Sequence, residues 1–171
     1  MARIADSIPS SWIRDAHDHL KKNGWGRTIA TPYMLHHVTQ WNVNQAAAIL
    51  ITTEDVAEIY SKGSDEFIFP NALIESNAVI PLSERRQLHH CNGLHHIKNE
   101  YVRLTGMNPS ESQFHELYSC FPIAVRLQRE AFELGKRPGT ITGGMTFAGG
   151  PYNNFMVQGL SQLAKQVRES Q

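Results

Sequence analysis

The sequence of 171 residues has little cysteine, no excess of charge of either sign and no long apolar run. Two cysteines, Cys91 and Cys120, are too few for a disulfide scaffold and fit a reducing cytoplasm. Sixteen basic residues balance sixteen acidic ones, so the formal net charge is zero, which argues against nucleic-acid binding and against a polybasic membrane surface. No apolar stretch approaches the roughly 20 residues that span a bilayer. Because the N-terminus also lacks an apolar signal core, neither a membrane span nor a secretion signal is expected.

What the sequence does contain is the composition of a folded protein. Hydrophobic residues make up 41% and charged residues 19%, which argues against disorder over most of the chain. The length suggests about one domain. We divide it into a weakly assigned N-terminal segment, residues 1–30, and a main region, residues 31–171.

The order of apolar and polar residues predicts alternating strands and helices. Strands are predicted over 46–53 and 72–76, and a short strand or strand-like segment over 114–119. Helices are predicted from a cap at Thr53 to a stop at Gly63, from Ser83 to Thr105, from Pro122 to Gly135, and over 154–167. This alternation predicts an α/β fold.

The most distinctive local pattern is TGGMTFAGGP, which places Gly143–Gly144 and Gly149–Gly150 ahead of Pro151 and a helix. Glycines allow close approach of a backbone, and the start of a helix offers free amides to an anion. No Gly-Lys-Ser/Thr follows and no G-x-G-x-x-G is present, so the pattern is neither a Walker loop nor a dinucleotide fingerprint. A ligand-binding loop and a tight structural loop remain equally open.

The segment LHHCNGLHH surrounds Cys91 with His89, His90, His95 and His96. On a helix Cys91 and His95 share a face, as metal ligands can. With no acidic residue close by, the pattern favours an ordinary helix face, and no metal site is predicted.

His115, Glu116 and Cys120 bring an imidazole, a carboxylate and a thiol close together in the sequence. A thiol beside an imidazole is the beginning of a nucleophile–base arrangement. The five residues from His115 to Cys120 favour opposite faces of the chain, however. HELYS is not H-E-x-x-H, so the zinc-protease pattern is absent. A buried, unreactive Cys120 is favoured, and a catalytic Cys120 is the minority interpretation.

Three segments, taken together, resemble the C-terminal region of thiolase-like proteins, in particular the acetyl-CoA acetyltransferase-like branch. They are QWNVNQAAAILITTEDVAEI (40–59), HELYSCFPIAV (115–125) and TITGGMTFAGGPYNNFMVQG (140–159). The resemblance implies a partial thiolase-like fold, a mixed sheet layered with helices that lacks the final strands. It also implies an acyltransferase that acts on coenzyme A thioesters, with acyl-CoA as a substrate and no cofactor.

The family's site residues carry over only in part. Its Gly-His-Pro loop aligns with Gly149-Gly150-Pro151, so Gly150 stands where the family has His, and the loop is assigned to substrate binding. Its Asn- or His-bearing motif aligns with Tyr118-Ser119-Cys120-Phe121, where Tyr118 takes the place of Asn or His. His115, Tyr118, Ser119 and Cys120 are therefore the candidates for lining the site.

The resemblance places the nucleophilic Cys before residue 1 and the second catalytic Cys beyond Gln171. Two interpretations stay open. The chain is an incomplete acyltransferase, completed by a partner chain that carries the N-terminal half or by forming a homodimer, or it is a non-catalytic subunit or a truncated, inactive gene product. In the first case we expect an exposed apolar surface that a partner covers.

Overall fold

The structure, a computed structural model, describes residues 21–24, 26–60, 67–77 and 79–170. In these ranges the chain forms one short hairpin and several helices, joined by long irregular segments. Most of the N-terminal segment 1–30 lies outside the described residues.

The hairpin pairs β1 (Thr28–Ala30) with β2 (Tyr33–Met34) in antiparallel fashion. A short 3-10 helix, Leu35–His37, follows it directly. Within the described part of the chain this hairpin is the only sheet, so the mixed sheet implied by the family resemblance is not seen there. The partial thiolase-like fold stays a prediction.

The α-helices whose bounds lie inside the described ranges follow three of the four predictions closely. They are α1 (Glu54–Tyr60), α2 (Asn92–Thr105), α3 (Pro122–Ala131) and α4 (Asn154–Glu169). Two further 3-10 helices span Leu82–Glu84 and Pro109–Glu111. The starts predicted after Thr53, at Pro122 and at residue 154 are confirmed.

Local chemistry explains where these helices begin and end. The Thr53 carbonyl accepts a hydrogen bond from the Ala57 amide at 2.9 Å, which closes the first turn of α1. Pro122 starts α3, where its missing amide hydrogen costs nothing. Gly106 ends α2 in the left-handed conformation, at φ 71°, which glycine adopts without strain. The stop predicted at Gly63 lies outside the described residues.

The prediction of one helix from Ser83 to Thr105 is wrong in its first part. Residues 85–91 are not helical, and α2 begins only at Asn92. In α4 the Leu160 side chain is 51% exposed, while Gln158 and Gly159 are buried.

The strand predictions over 46–53 and 72–76 are wrong. Residues 46–53 and 72–76 have no regular secondary structure. β-Branched residues favour a strand only where a neighbouring strand supplies hydrogen bonds, and none of the described residues does so here. Residues 114–119 also lack a regular strand, although the Leu117 amide donates to the Gly139 carbonyl at 2.9 Å.

The core lies between α3 and the glycine-rich C-terminal segment. Leu117, Val125 and Leu134 form a buried cluster against which Phe132 packs. A Cβ atom at Gly139 would lie 3.1 Å from a methyl carbon of Leu117, so the backbone there packs directly on the cluster. The residues matched to the family's site therefore adjoin the best-packed part of the described chain.

The surface formed by the described residues between 46 and 82 is different, because most of its large apolar side chains are exposed. Leu50, Leu73 and Val79 are among the most exposed of them. In the part of the chain that the structure describes, no helix has the length and apolar character needed to cross a membrane.

Leu134→Ala tests the position of the core. Leu134 is only 2% exposed, so removing its side chain leaves a cavity, and we expect the free energy of unfolding to fall by about 2–5 kcal/mol. Leu104→Ala, at a half-exposed position on α2, is the matched control and is expected to change it by less than about 1 kcal/mol. Urea unfolding followed by circular dichroism measures both, and equal losses would contradict this core.

Candidate functional site

The Glu116 carboxylate is the centre of the hydrogen bonds around the glycine-rich segment. One carboxylate oxygen accepts hydrogen bonds from the Ile141 amide at 2.8 Å and the Thr142 amide at 3.0 Å. The other oxygen accepts from the Thr142 hydroxyl at 2.6 Å. A single side chain therefore holds the start of the TGG turn by three donors.

Burial raises the pKa of Glu116 above its ordinary value, because the charged form loses solvation by water. The three hydrogen bonds from Thr142 and Ile141 act in the opposite direction, since they stabilise the carboxylate. The first effect is the larger. Glu116 is thus a buried acid whose hydrogen bonds hold the turn at residues 141–142 in place, which is a structural role.

The rest of residues 116–119 runs beside the same segment. The Ser119 hydroxyl accepts a hydrogen bond from the Met145 amide at 3.0 Å, and both residues are buried. Together with the bond between Leu117 and Gly139, this contact fixes the segment before α3 against the glycine-rich segment. Ser119, one of the site candidates, acts here as a support for the loop.

Residues 38–45 lie on the other side of the glycine-rich segment. The Gln40 amide donates to the Met145 carbonyl at 3.1 Å, and the Gly150 amide donates to the Gln40 carbonyl at 3.0 Å. The Gln45 side chain donates to the Ala148 carbonyl at 2.9 Å. Although more than 100 residues separate these partners in sequence, they form one layer.

α4 is joined to this layer through Gln45. The buried Gln158 side chain donates to the Gln45 side-chain oxygen at 3.0 Å. The Asn154 side chain donates to the Gln45 carbonyl at 3.3 Å. The sequence pattern does not single out Gln158, and only its burial and its contact with Gln45 in the structure reveal its role.

The loop Gly149-Gly150-Pro151 is tightly enclosed. Gly149 has φ 89°, a value that residues with a Cβ rarely adopt. A Cβ added there would lie 2.6 Å from the side-chain nitrogen of Gln45. A Cβ at Gly150 would collide with the Thr39 methyl group. The loop has no room for the imidazole found at this position in the family it resembles, and the Gly150 amide is already bonded to Gln40.

Tyr118 and Cys120 form a phenol–thiol pair beside this loop. The hydrogen bond between the two side chains, which is the largest cause, raises the pKa of Tyr118, because a phenol that donates to sulfur holds its proton more tightly. Tyr118 is half exposed and Cys120 partly buried. The pair is thus reachable from solvent.

Helix α3 positions Tyr118 through Gln128. The Gln128 side chain donates to the Tyr118 carbonyl at 2.7 Å and accepts from the Tyr118 amide at 3.1 Å. This bidentate contact replaces the hydrogen bonds that a neighbouring strand would have supplied.

Thr39 joins the two candidate groups. Its hydroxyl donates to the Cys120 carbonyl at 3.2 Å, and its methyl group fills the space against Gly150. The structure therefore places residues 118–120 and 149–151 next to each other, with Thr39 between them. Thr39 carries no sequence signal that singles it out.

His115 does not join this group. Its Nε2 atom lies 2.8 Å from the Pro109 carbonyl, in the turn that precedes the site segment. The imidazole is thereby engaged with Pro109.

The histidine-rich segment at the start of α2 forms a separate feature. The His90 and His95 rings stack with centroids 4.4 Å apart. A cavity of about 540 Å³ lies beside them, lined in part by Arg85, Arg86 and Cys91. In the described ranges no three His, Cys, Asp or Glu side chains come together as metal ligands.

Comparison with known proteins identifies no relative. No protein family model matches the chain, and neither a curated protein nor a solved structure is significantly similar to it.

Glu116→Gln tests the role of the carboxylate. A glutamine keeps one oxygen but turns an NH₂ group toward backbone or hydroxyl donors, so at least one buried donor is left unpaired. We expect the free energy of unfolding at pH 7 to fall by about 2–3 kcal/mol. The exposed Glu130→Gln is the matched control and should be nearly neutral.

The same pair of variants also tests the raised pKa of Glu116. Because the folded state binds the proton more tightly, Glu116 makes stability fall as pH rises from the ordinary value of 4.5 through the raised pKa. The stability difference between wild type and Glu116→Gln should therefore widen toward pH 4.5, as measured by urea unfolding across this range. A difference that stays constant with pH would contradict the burial of this acid.

Gly150→Ala tests the enclosure of the loop. The new methyl group meets the Thr39 methyl, and we expect a loss of about 2–3 kcal/mol in the free energy of unfolding. Adding Thr39→Ser removes that methyl and keeps the hydroxyl, so the double variant should recover part of the loss. Gly26→Ala, where nothing lies within 4 Å of an added Cβ, is the control. A loss from Gly150→Ala that Thr39→Ser leaves unchanged would contradict the contact.

Proposed function

We propose that the chain carries part of a thiolase-like acyl-transfer site for coenzyme A thioesters. The observation that supports this is the convergence of the three segments behind the family resemblance. Residues 40–45, 116–120 and 139–150 bond to one another, although the sequence places them far apart.

In this proposal Cys120 receives the acyl group, which takes up the minority interpretation of this residue, because the resemblance places the family's own nucleophilic Cys before residue 1. The Cys120 thiol gives its proton to water and the resulting thiolate attacks the thioester carbonyl. A bond forms between the Cys120 sulfur and the acyl carbon, and the bond from that carbon to the coenzyme A sulfur breaks. Coenzyme A leaves as a thiolate and takes a proton from water, so the exchange needs no oxidant or reductant. Tyr118, whose pKa is raised chiefly by its interaction with the Cys120 side chain, is the neighbouring polar group in this proposal.

The second candidate function is a non-catalytic thiolase-like subunit or a truncated, inactive gene product. It is favoured by the state of the loop at residues 149–151. The Gly150 amide is already bonded to Gln40, and Thr39 occupies the space of any side chain there. An oxyanion donor and an imidazole are both absent from position 150, and acyl transfer needs such groups.

Under either function the proposal includes a partner chain that carries the N-terminal half, or a second copy of this chain. A cytoplasmic location is proposed from the two free thiols, Cys91 and Cys120. A net charge of zero supports the expectation that nucleic acid is not a ligand.

The experiment is acyl transfer from acetyl-CoA and acetoacetyl-CoA to the purified chain, followed by release of free thiol and by peptide mass spectrometry. We expect one acyl group on Cys120 and its loss in Cys120→Ser. Cys91→Ser is the matched control, since both cysteines are free and partly buried, and it should leave the label in place.

Three outcomes separate the candidates. Acylation confined to Cys120 supports the transferase. Binding of acetyl-CoA by calorimetry without acylation supports the non-catalytic subunit. Neither binding nor acylation, with the chain folded by circular dichroism, would contradict both.

A further inference from the structure

The cavity of about 540 Å³ beside the start of α2 has no part in the function proposed above. Its volume falls in the range of roughly 300–1,000 Å³ that is typical of sites for small organic ligands. The residues that line it all come from one stretch of the chain, 80–93. The cavity is therefore a local feature, separate from the residues grouped around Cys120.

Two arginines give this cavity its charge. Arg85 and Arg86 line it together with one acid, Glu84, so these three side chains carry a net charge of 2 − 1 = +1. Among the residues that the structure describes, neither arginine forms a salt bridge with Glu84 or with any other acid. A guanidinium group binds the oxygens of a phosphate or a carboxylate through two parallel hydrogen bonds. Both arginines are thus free to take an anion.

The Arg85 side chain is already anchored at the cavity. Its Nε atom donates a hydrogen bond to the Ile80 carbonyl at 3.1 Å, and Ile80 itself lines the cavity. This contact uses one of the five N–H donors of the guanidinium and leaves the four on its terminal nitrogens for a ligand. An arginine held in this way loses less conformational entropy when it binds a ligand.

The start of α2 adds backbone donors to the same cavity. Asn92 and Gly93, the first two residues of this helix, belong to the lining. Amides in the first turn have no partner within a helix. Here the N-cap residue Cys91 makes no capping hydrogen bond through its side chain, and the first turn contains no acid. The positive end of the helix dipole and the two arginines therefore act on one cavity, and both favour an anion.

From these observations we propose that the cavity binds a small organic phosphate of the size of a mononucleotide. The phosphate group lies between Arg85, Arg86 and the start of α2, because its oxygens accept several hydrogen bonds at once. The organic part lies against Ile80 and the His90 ring, which also line the cavity. That ring stacks on His95 with centroids 4.4 Å apart. The inference does not rest on acyl transfer at Cys120.

The first test compares three probes by calorimetric titration of the full chain: AMP, adenosine and inorganic phosphate. We expect AMP to bind about tenfold more tightly than adenosine, because adenosine lacks the charged acceptor. AMP should also bind more tightly than inorganic phosphate, which lacks the organic part. No binding of AMP at about 1 mM, or equal binding of AMP and adenosine, would overturn the proposal.

The second test changes the charges of the lining. Arg85→Gln and Arg86→Gln should each weaken AMP binding about tenfold, since each removes charged donors. Glu84→Gln removes a repelling carboxylate and should strengthen binding about two- to threefold. The control is Arg126→Gln, at an exposed position on α3 outside the cavity. It changes the net charge equally and should leave the affinity unchanged, with all four variants folded by circular dichroism.

The third test locates the ligand by NMR. Titration with AMP should shift the amide signals of Asn92 and Gly93 more than those of Asn154 and Phe155, which begin α4. Shifts centred on the start of α4, or a loss of affinity in Arg126→Gln equal to that in Arg85→Gln, would contradict the proposed site.

The source of the phosphate is distinguished with acetyl-CoA, which carries phosphate groups of its own. If Arg85→Gln weakens the binding of both acetyl-CoA and AMP while Cys120→Ser weakens neither, coenzyme A supplies the phosphate. If Arg85→Gln weakens AMP alone, the ligand is a separate organic phosphate. Both results support the cavity as a phosphate site, and either can be obtained whether or not Cys120 is acylated.

Discussion

Three hydrogen bonds from residues 141 and 142 converge on the carboxylate of Glu116. Burying a charged acid is unfavourable unless such donors compensate it, and here they come from the turn that the rest of the site rests on. Once residues 141–142 are fixed, Met145 meets Ser119 and Gln40, and Gly150 meets Gln40. The packing of the site follows from this one acid.

The same hydrogen bonds limit the chemistry that the site can perform. Ser119 supports Met145, His115 is engaged with Pro109, and the Gly150 amide serves Gln40. Groups that bind a backbone in the resting fold must break those bonds before they assist a substrate. The acyl transfer proposed above therefore rests on the Tyr118 and Cys120 side chains.

Local patterns in the sequence predicted the helices but not the strands. Pro122, Gly106 and Thr53 mark ends through effects within one turn, so the sequence alone shows them. A strand at 46–53 depends on a distant partner, and composition cannot say whether one is present. Within the site, the pairs of glycines showed where the loop is, whereas Thr39 and Gln45 acquire their roles only through contacts distant in sequence.

The bonds from Thr39, Gln40 and Gln45 to the segment 145–158 span more than 100 residues. Closing so long a loop has an entropic cost before any contact forms, and contacts of this kind slow folding. During synthesis, residues 39–45 must therefore wait until residues 145–158 have been made. The layer around Gly150 is consequently among the last parts of the chain to form.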